Sequence, residues 1–273
     1  MNHQPCHCHS SHFPKSYWLT HPVPSFPQLT KNIETEVGVI GGGIFGILTA
    51  YLLAKAGVKV ALIEAREFLH GVTGHTTAKI SAQHGLIYDD LMRTFGEADA
   101  RLYFEANMEG RDLIEEMASD LAIDCDLETK EAVVFASSEK SVKKVEVEAR
   151  AYEKLGIDGV LAYGRLDDLP FPVEASLTMR GQAQFHPVKF LAPLLKEIEK
   201  LGGRVYEETR AVQLSKDHTM VTMETGAQLT CKQVVVATHY PFNDFDGLYF
   251  TKLAISRSYA LAAKVTAPLP EAM

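Results

Sequence analysis

Residues 36–66 read EVGVIGGGIFGILTAYLLAKAGVKVALIEAR, and the order of features in that stretch decides the fold class. The short apolar run 37–40 enters a glycine cluster, a helix-compatible segment follows to Ala56, Gly57 closes it, and a second apolar run over 58–63 ends on Glu64. Strand, turn, helix and strand in this order make a βαβ unit. Gly41, Gly43 and Gly46 give G-x-G-x-x-G, and each glycine has its own reason: a tight turn, backbone close to a pyrophosphate, and close packing of helix on strand. The phosphates would sit at the helix N-terminus, where unpaired N–H groups and the helix dipole favour an anion. Glu64, 18 residues past Gly46 at the end of a strand, can accept both hydroxyls of an adenosine ribose and would repel a 2′-phosphate. The stretch predicts dinucleotide binding. Its 18 residues without a charge, 37–54, also have the length of a membrane span. Three consecutive glycines interrupt that run, however, and a first helix wedged between a sheet and other helices is apolar all round.

With 273 residues and 46% hydrophobic content, the chain can bury one large core or two modest ones and reads as a globular protein. A formal charge of −8 argues against a nucleic-acid groove, and no run of basic residues marks a membrane-surface patch. The expected partner is a small molecule. Four cysteines, with Cys6 and Cys8 close to the start, do not make a disulfide framework, and the N-terminus shows no apolar signal segment. These features read as a cytoplasmic protein.

Residues 1–30 are rich in His, Pro and Ser and show no periodicity, which predicts a mobile tail. Cys6-His7-Cys8-His9 offers ligand atoms, but in a flexible tail it fixes too few of them for a closed zinc site, so no metal is expected. Tyr17-Trp18-Leu19 reads as the point where the tail docks on the body. After Glu64 comes the loop 71–80, GVTGHTTAKI, dense in glycine, hydroxyls and one imidazole, unsuited to a regular element and able to aim many donors at one ligand. Over 89–122 apolar residues recur at helical spacing, and Gly96 divides the stretch into a short and a long helix. A strand at 132–136, an amphipathic helix at 142–155 and short strands at 160–162 and 175–179 predict a small α+β insertion.

His186-Pro187 opens a helix that runs to Leu201 and is stopped by Gly202-Gly203. Within it, Pro193 predicts a kink or a restricted first turn. Strands follow at 204–207, 211–214, 220–224 and 228–230. The run 233–238 reads as a strand buried on both faces that ends in small residues. The domain reading is a tail over 1–30, a discontinuous dinucleotide-binding domain over 31–125 and 186–248, and a partial substrate domain over 126–185 and 249–273.

Several separated segments resemble one family. VIGGGIFG with Glu64, the loop GVTGHTTAKIS, the FHP…LGG helix with VYEETRAVQL after it, and VVVATHYPF are similar to the flavin-dependent amino-acid and amine oxidoreductases of the D-amino-acid oxidase, glycine oxidase and sarcosine oxidase superfamily. SYWL, TGHTTAKISAQHGLIYDDL and RLYFEANMEG resemble a bacterial subgroup that often carries a C-terminal Rieske domain. The resemblance implies an α/β fold: a Rossmann-type, glutathione-reductase-like parallel sheet that binds FAD, with an interrupted α+β substrate domain. It also implies residue roles. Gly41, Gly43 and Gly46 would hold the FAD pyrophosphate, Glu64 the adenosine ribose, and Ala65 and Arg66 would flank the adenine end. Thr73, Gly74, His75, Thr77, Ala78 and Ile80 align with the loop along the ribityl chain and isoalloxazine. Ala211 and Val212 match the strand whose backbone meets the adenine, and Ala237 and Thr238 match a second dinucleotide-contacting strand end. Lys79 departs from the family, where a small residue is common; a solvated lysine is the reading adopted here.

The activity implied is oxidation of the C–N bond of an amino acid or secondary amine, with hydride passing to flavin N5. The groups that anchor a substrate carboxylate lie mostly beyond the segment corresponding to Met273, so no catalytic residue is named. No Rieske C-x-H…C-x-x-H pair occurs in the sequence. Because the family's chain continues further, the expectation is a chain deficient in amine oxidation and prone to self-association unless another chain supplies the missing C-terminal half. Two rivals stand beside this reading. One is a non-catalytic FAD-binding module. The other is an NAD-dependent dehydrogenase, against which the 71–80 loop speaks by replacing the expected third βα step.

Overall fold

The structure, a computed structural model, describes residues 16–164, 171–242, 247–256 and 258; Cys6 to His9 and most of the 253–265 run lie outside them. In chain order the elements are β1 (Ile33–Glu34), β2 (Val37–Ile40), α1 (Ile44–Lys55), β3 (Val60–Ile63), β4 (Lys79–Ile80), α2 (Tyr88–Phe95), α3 (Glu97–Asp120), β5 (Glu128–Ala136) and α4 (Glu139–Leu155). Then follow β6 (Gly159–Tyr163), β7 (Ala175–Gln184), α5 (Pro187–Lys200), β8 (Arg204–Tyr206), β9 (Ala211–Leu214), β10 (Met220–Met223), β11 (Gln228–Thr230) and β12 (Gln233–Val236). They fall into two compact units, one of Met1–Thr76 with Pro187–Lys252, the other of Thr77–His186 with Leu253–Met273.

The first unit is built on the parallel sheet β12-β2-β3-β8, in register Val39↔Leu62 and Val39↔Val235. Every residue of β2 and β3 is buried, as uninterrupted apolar runs at the centre of a parallel sheet require. The strand β12 departs from expectation. Gln233 is exposed and Val236 is 47% exposed, because among the described residues β12 pairs with β2 alone and ends the sheet. A run of valines reads alike for a central and an edge strand.

A second, mixed sheet, β1-β11-β10-β9, carries a register shift at Thr222/Met223. Ile40, Ala61 and Ile63 share one core with Val221, Met223 and Leu229. Helix α1 packs against α5, which runs through Pro193 without interruption and stops at Gly202, φ +88°, with the Gly203 N–H on the Ile198 carbonyl at 2.8 Å. Among the described residues no helix is long and apolar enough to cross a membrane.

Residues 16–30 are not a free tail. Leu19 and Leu29 are buried, the Leu29 N–H donates to Thr209 Oγ1 at 2.9 Å, and Trp18 Nε1 donates to the Thr76 carbonyl at 2.8 Å. The docking expected at Tyr17-Trp18-Leu19 is present. The proline-rich stretch after it carries no periodicity because its partners are side-chain and backbone groups distant in sequence rather than its own.

The second unit centres on β7, which pairs antiparallel with β4, β5 and β6, the β5 pairing shifting register between Lys130 and Ala132. Helix α4 packs on this sheet, and α2 and α3 pack on α4. The core there includes Tyr88, Val145, Tyr152, Leu155, Leu177 and Met179, with the Tyr88 and Tyr152 rings edge to face at 5.5 Å. Gly96, φ +92°, separates α2 from α3, as expected from the sequence. The segment 77–125, read from sequence as part of the dinucleotide-binding domain, packs in this second unit instead, because the apolar faces of α2 and α3 are covered by α4.

Glu148 on α4 is 1% exposed. Its Oε1 accepts the N–H groups of Ile87 and Tyr88 at 2.9 and 2.8 Å, and its Oε2 accepts that of Asp89 at 3.1 Å. Burial pushes its carboxyl above the usual range, against the pull of those three N–H groups.

Candidate functional site

The C-terminal ends of β2 and β3 in the first unit converge on the glycine turn. Gly41 adopts φ +117°, which a side chain would strain, and a methyl there would overlap the Ala237 carbonyl. At Gly46 a methyl would overlap the Gly41 carbonyl, so that glycine lets α1 sit tight on the turn. Gly43 is different: a methyl would meet only Thr73 Oγ1, at 3.2 Å. Its backbone is open, and it caps α1, with the Ile47 N–H on the Gly43 carbonyl at 3.0 Å. The first N–H groups of a helix have no partner within it. Here the Ile44 N–H donates to Thr73 Oγ1 at 3.0 Å.

Glu64 is tied to the same turn. Its Oε2 accepts the Gly42 N–H at 2.7 Å and its Oε1 the Arg66 N–H at 2.9 Å. A carboxylate offers about four acceptor positions, so two bonds to backbone leave capacity for two more. Its backbone is fixed by 206–209: the Glu64 N–H donates to the Tyr206 carbonyl at 2.9 Å and the Thr209 N–H to the Glu64 carbonyl at 2.9 Å. Beside it opens a cleft of about 690 Å³ lined by Gln28, Ala65, Arg66, Glu67, Glu208 and Arg210 among others.

At the end of β12 the Ala237 N–H donates to the Ile40 carbonyl at 2.7 Å, and Thr238 Oγ1 donates to the Tyr240 carbonyl at 2.7 Å. Ala211 is buried in the core with Ile40 and Ile63, whereas Val212 is 44% exposed.

The 71–80 loop contains more regular structure than its composition suggests: a 3₁₀ turn at Val72–His75 and the short β4. Thr73 is buried and reaches the start of α1. Gly74 is required by packing, since a methyl would crowd the Leu69 carbonyl at 2.5 Å and Leu19 at 2.7 Å. His75 is exposed, with Nδ1 2.9 Å from the Gly71 carbonyl. Thr77, Ala78 and Ile80 belong to the second unit. There Thr77 and Lys79 are exposed, Ile80 is buried and pairs with Ala183, and Ala78 is buried at φ +60°. A left-handed alanine stores strain of the kind found at functional sites.

Sequence reasoning missed Phe68. It is fully buried, and a methyl on Gly42 would overlap its ring, so it sets the floor of the turn. The pair Phe68-Leu69, a short apolar step after Glu67 with no periodicity around it, gives no sign of that role.

Comparison with known proteins places this geometry. Residues 36–272 match the family described as FAD dependent oxidoreductase. The chain belongs to that family. It is 42% identical over 264 residues to YhfW of Bacillus subtilis (strain 168), whose name assigns it to the Rieske 2Fe-2S iron–sulfur proteins, covering 95% of this chain and 51% of that one. It is 26% identical over 216 residues to gamma-glutamylputrescine oxidoreductase of Escherichia coli (strain K12), covering 78% and 50%. The chain therefore spans about half the length of these curated relatives. Among solved structures, L-amino acid deaminase from Proteus myxofaciens superposes with a TM-score of 0.64 at 19% identity, over 82% of this chain and 49% of the other. Glycine oxidase from Geobacillus kaustophilus gives 0.57 at 17% identity, over 75% and 55%. These two establish the fold.

The family's cofactor is FAD, and the turn fits it. Gly43 leaves open the backbone beside the α1 N-terminus that a pyrophosphate approaches, Gly41 and Gly46 are closed by the protein itself, and Glu64 stands at the next strand end with acceptor capacity to spare.

Proposed function

We propose that this chain carries the FAD-binding part of an enzyme that oxidises the C–N bond of an amino acid or secondary amine. The observation that carries the reading is the pairing of an open Gly43 backbone at the α1 N-terminus with Glu64 on the adjoining strand end. In this reading Gly43 brings open backbone to the pyrophosphate, Gly41 and Gly46 hold the tight turn that presents it, and Glu64 places its remaining acceptors on the adenosine ribose. Ala65 and Arg66 flank the adenine beside the strand of Ala211 and Val212. Ala237 and Thr238 close the turn from β12. Thr73, Gly74 and His75 take the ribityl positions that the resemblance gives them.

FAD, once bound, supplies a two-electron acceptor for the hydride that leaves the carbon next to the amine. The amine must be neutral, so that its lone pair can form the imine as the hydride departs. The substrate class is supported by the names of similar proteins, a gamma-glutamylputrescine oxidoreductase, a glycine oxidase and an L-amino acid deaminase.

The test is spectroscopic. The protein is loaded with FAD, freed of excess cofactor, and mixed without oxygen with glycine, sarcosine, D- and L-amino acids and polyamines. Loss of the flavin's visible absorbance with one of these is the expected result. A yellow protein that none of them bleaches supports a flavin-binding module without turnover. A colourless protein that binds NADH overturns the flavin reading in favour of a nicotinamide dehydrogenase.

A further inference from the structure

The segment ahead of the βαβ unit is attached to the two stretches on which the proposed cofactor site depends. At one end, the 3₁₀ turn Tyr17–Thr20 packs on the Val72–His75 turn and on α5. Leu19 fills the space that Gly74 leaves by lacking a side chain, and Trp18 Nε1 holds the Thr76 carbonyl at 2.8 Å. In the middle, the Phe26 ring stands edge to face on Phe68 at 5.5 Å, the residue beneath Gly42. At the other end, the Phe26 N–H donates to Glu207 Oε1 at 2.8 Å, Gln28 Nε2 donates to the Glu208 carbonyl, and the Leu29 N–H donates to Thr209 Oγ1 at 2.9 Å. Residues 206–209 are the ones that fix the backbone of Glu64 and Arg66.

We propose that residues 16–29 are a strap that presets the cofactor-bearing segments 64–66 and 72–76, with Trp18 and Leu19 as positioning residues for the loop that carries Thr73. The inference rests on the FAD reading above. An irregular loop loses conformational entropy when a ligand fixes it, and fixing it beforehand removes that cost from binding. Thr73 makes the link to the ligand end, because its hydroxyl lies on the Ile44 N–H at the first turn of α1. Neither Trp18 nor Leu19 has to touch the cofactor to act in this way.

The experiment titrates FAD into the whole apo-protein, wild type and variants, well below the melting temperature. Trp18→Phe keeps a ring but removes the donor to Thr76, and Leu19→Ala empties the space beside Gly74. The expected result is an FAD dissociation constant raised about five- to tenfold in Trp18→Phe, the scale of one hydrogen bond, and raised further in Leu19→Ala. The visible circular dichroism of the bound flavin should also change, a signature that a general loss of stability does not move. An unchanged apo melting temperature in Trp18→Phe separates positioning from folding, and that variant decides the matter if Leu19→Ala fails to fold. Unchanged affinity and unchanged flavin dichroism in Trp18→Phe, with a wild type that binds FAD, overturn the strap. A wild type that binds no FAD overturns the functional reading itself and the strap with it.

Discussion

The N-terminus of α1 in the first unit and that of α2 in the second meet the same electrostatic problem with different partners. Each helix begins with backbone N–H groups that lack acceptors within the helix and with the positive end of its dipole. At α2 the chain supplies the anion itself: Glu148 reaches from α4 and accepts three N–H groups in succession. At the first turn of α1 it supplies one neutral hydroxyl, from Thr73, while the Glu64 carboxylate reaches only the Gly42 N–H ahead of the Gly43 cap. The open glycine backbone at α1, against the buried carboxylate at α2, is what the proposed pyrophosphate site would use. The two termini therefore predict opposite mutational behaviour, ligand-directed at α1 and stability-directed at α2.

The largest effect is expected at Gly43. Gly43→Val adds a branched side chain where only Thr73 Oγ1 lies within reach, and the backbone there, φ −87° and ψ −174°, suits valine. The fold should survive while FAD affinity falls on the order of 100-fold or more, about 3 kcal/mol. The check is the flavin-to-protein absorbance ratio together with the melting temperature. Full flavin content in the soluble variant would mean that the open backbone at α1 is not the phosphate site. Gly46→Val, whose side chain would run into the Gly41 carbonyl, should lose both flavin and stability, which separates the two glycines.

The converse is expected at α2. Glu148→Ala leaves the buried Tyr88 N–H and the half-buried N–H groups of Ile87 and Asp89 without their acceptor, a loss of about 3 kcal/mol of unfolding free energy. Urea denaturation measures it, and FAD affinity should stay within about twofold, less than 0.5 kcal/mol. A large loss of flavin binding here would break the division between a terminus kept for a ligand and one closed by the chain.

Glu64→Ala should weaken FAD binding by about 1.5–3 kcal/mol, the range for hydrogen bonds to a charged group, read as a dissociation constant by fluorescence titration. Glu64 also holds the Gly42 and Arg66 N–H groups, so Glu64→Gln, which keeps one acceptor, should fall between the wild type and alanine. Equal affinity in all three would leave the residue a structural tie at the strand ends.

How much of this was legible in the sequence follows from how local each determinant is. The βαβ unit could be read from residues 37–64 because strand, turn, helix and strand are set by neighbours, and the three glycines by the turn they form. The break at Gly96 and the stop at Gly202 were readable for the same reason. Glu148 was not. It stands in VEVEARAYEKL among Glu146 and Glu153, and only tertiary packing singles it out as the acceptor for a helix some 60 residues earlier. The edge position of β12 and the placement of 77–125 in the second unit were hidden likewise, because a valine run or an amphipathic stripe states that a face is covered without stating by what. Within the loop, Thr73 could be picked as a donor-rich position, yet its bond to Ile44 joins residues 29 apart. The strap contacts of Trp18, Phe26 and Gln28 leave no periodic trace.

The smallest effect asks whether the α2 terminus is closed by charge or only by hydrogen bonds. Burial acts first on Glu148 and raises its carboxyl, the N–H groups of Tyr88, Asp89 and Ile87 pull it back down, and the Asp89 carboxylate raises it again. The net direction is upward. A carboxyl whose folded pKa lies above its unfolded one holds more protons in the native state between the two values, so unfolding free energy falls as pH rises through that window and is level on either side. Glu148→Gln removes the titration while keeping an acceptor. The expected outcome is a difference in melting temperature, wild type minus Glu148→Gln, that declines from the ordinary glutamate range upward and then flattens. The comparison cancels the titrating groups that do not interact with Glu148. A difference that grows with pH instead would show the three N–H groups outweighing burial. In that case α2 holds a full anion as strongly as α1 is proposed to hold a phosphate, and what separates the two termini is only where the anion comes from.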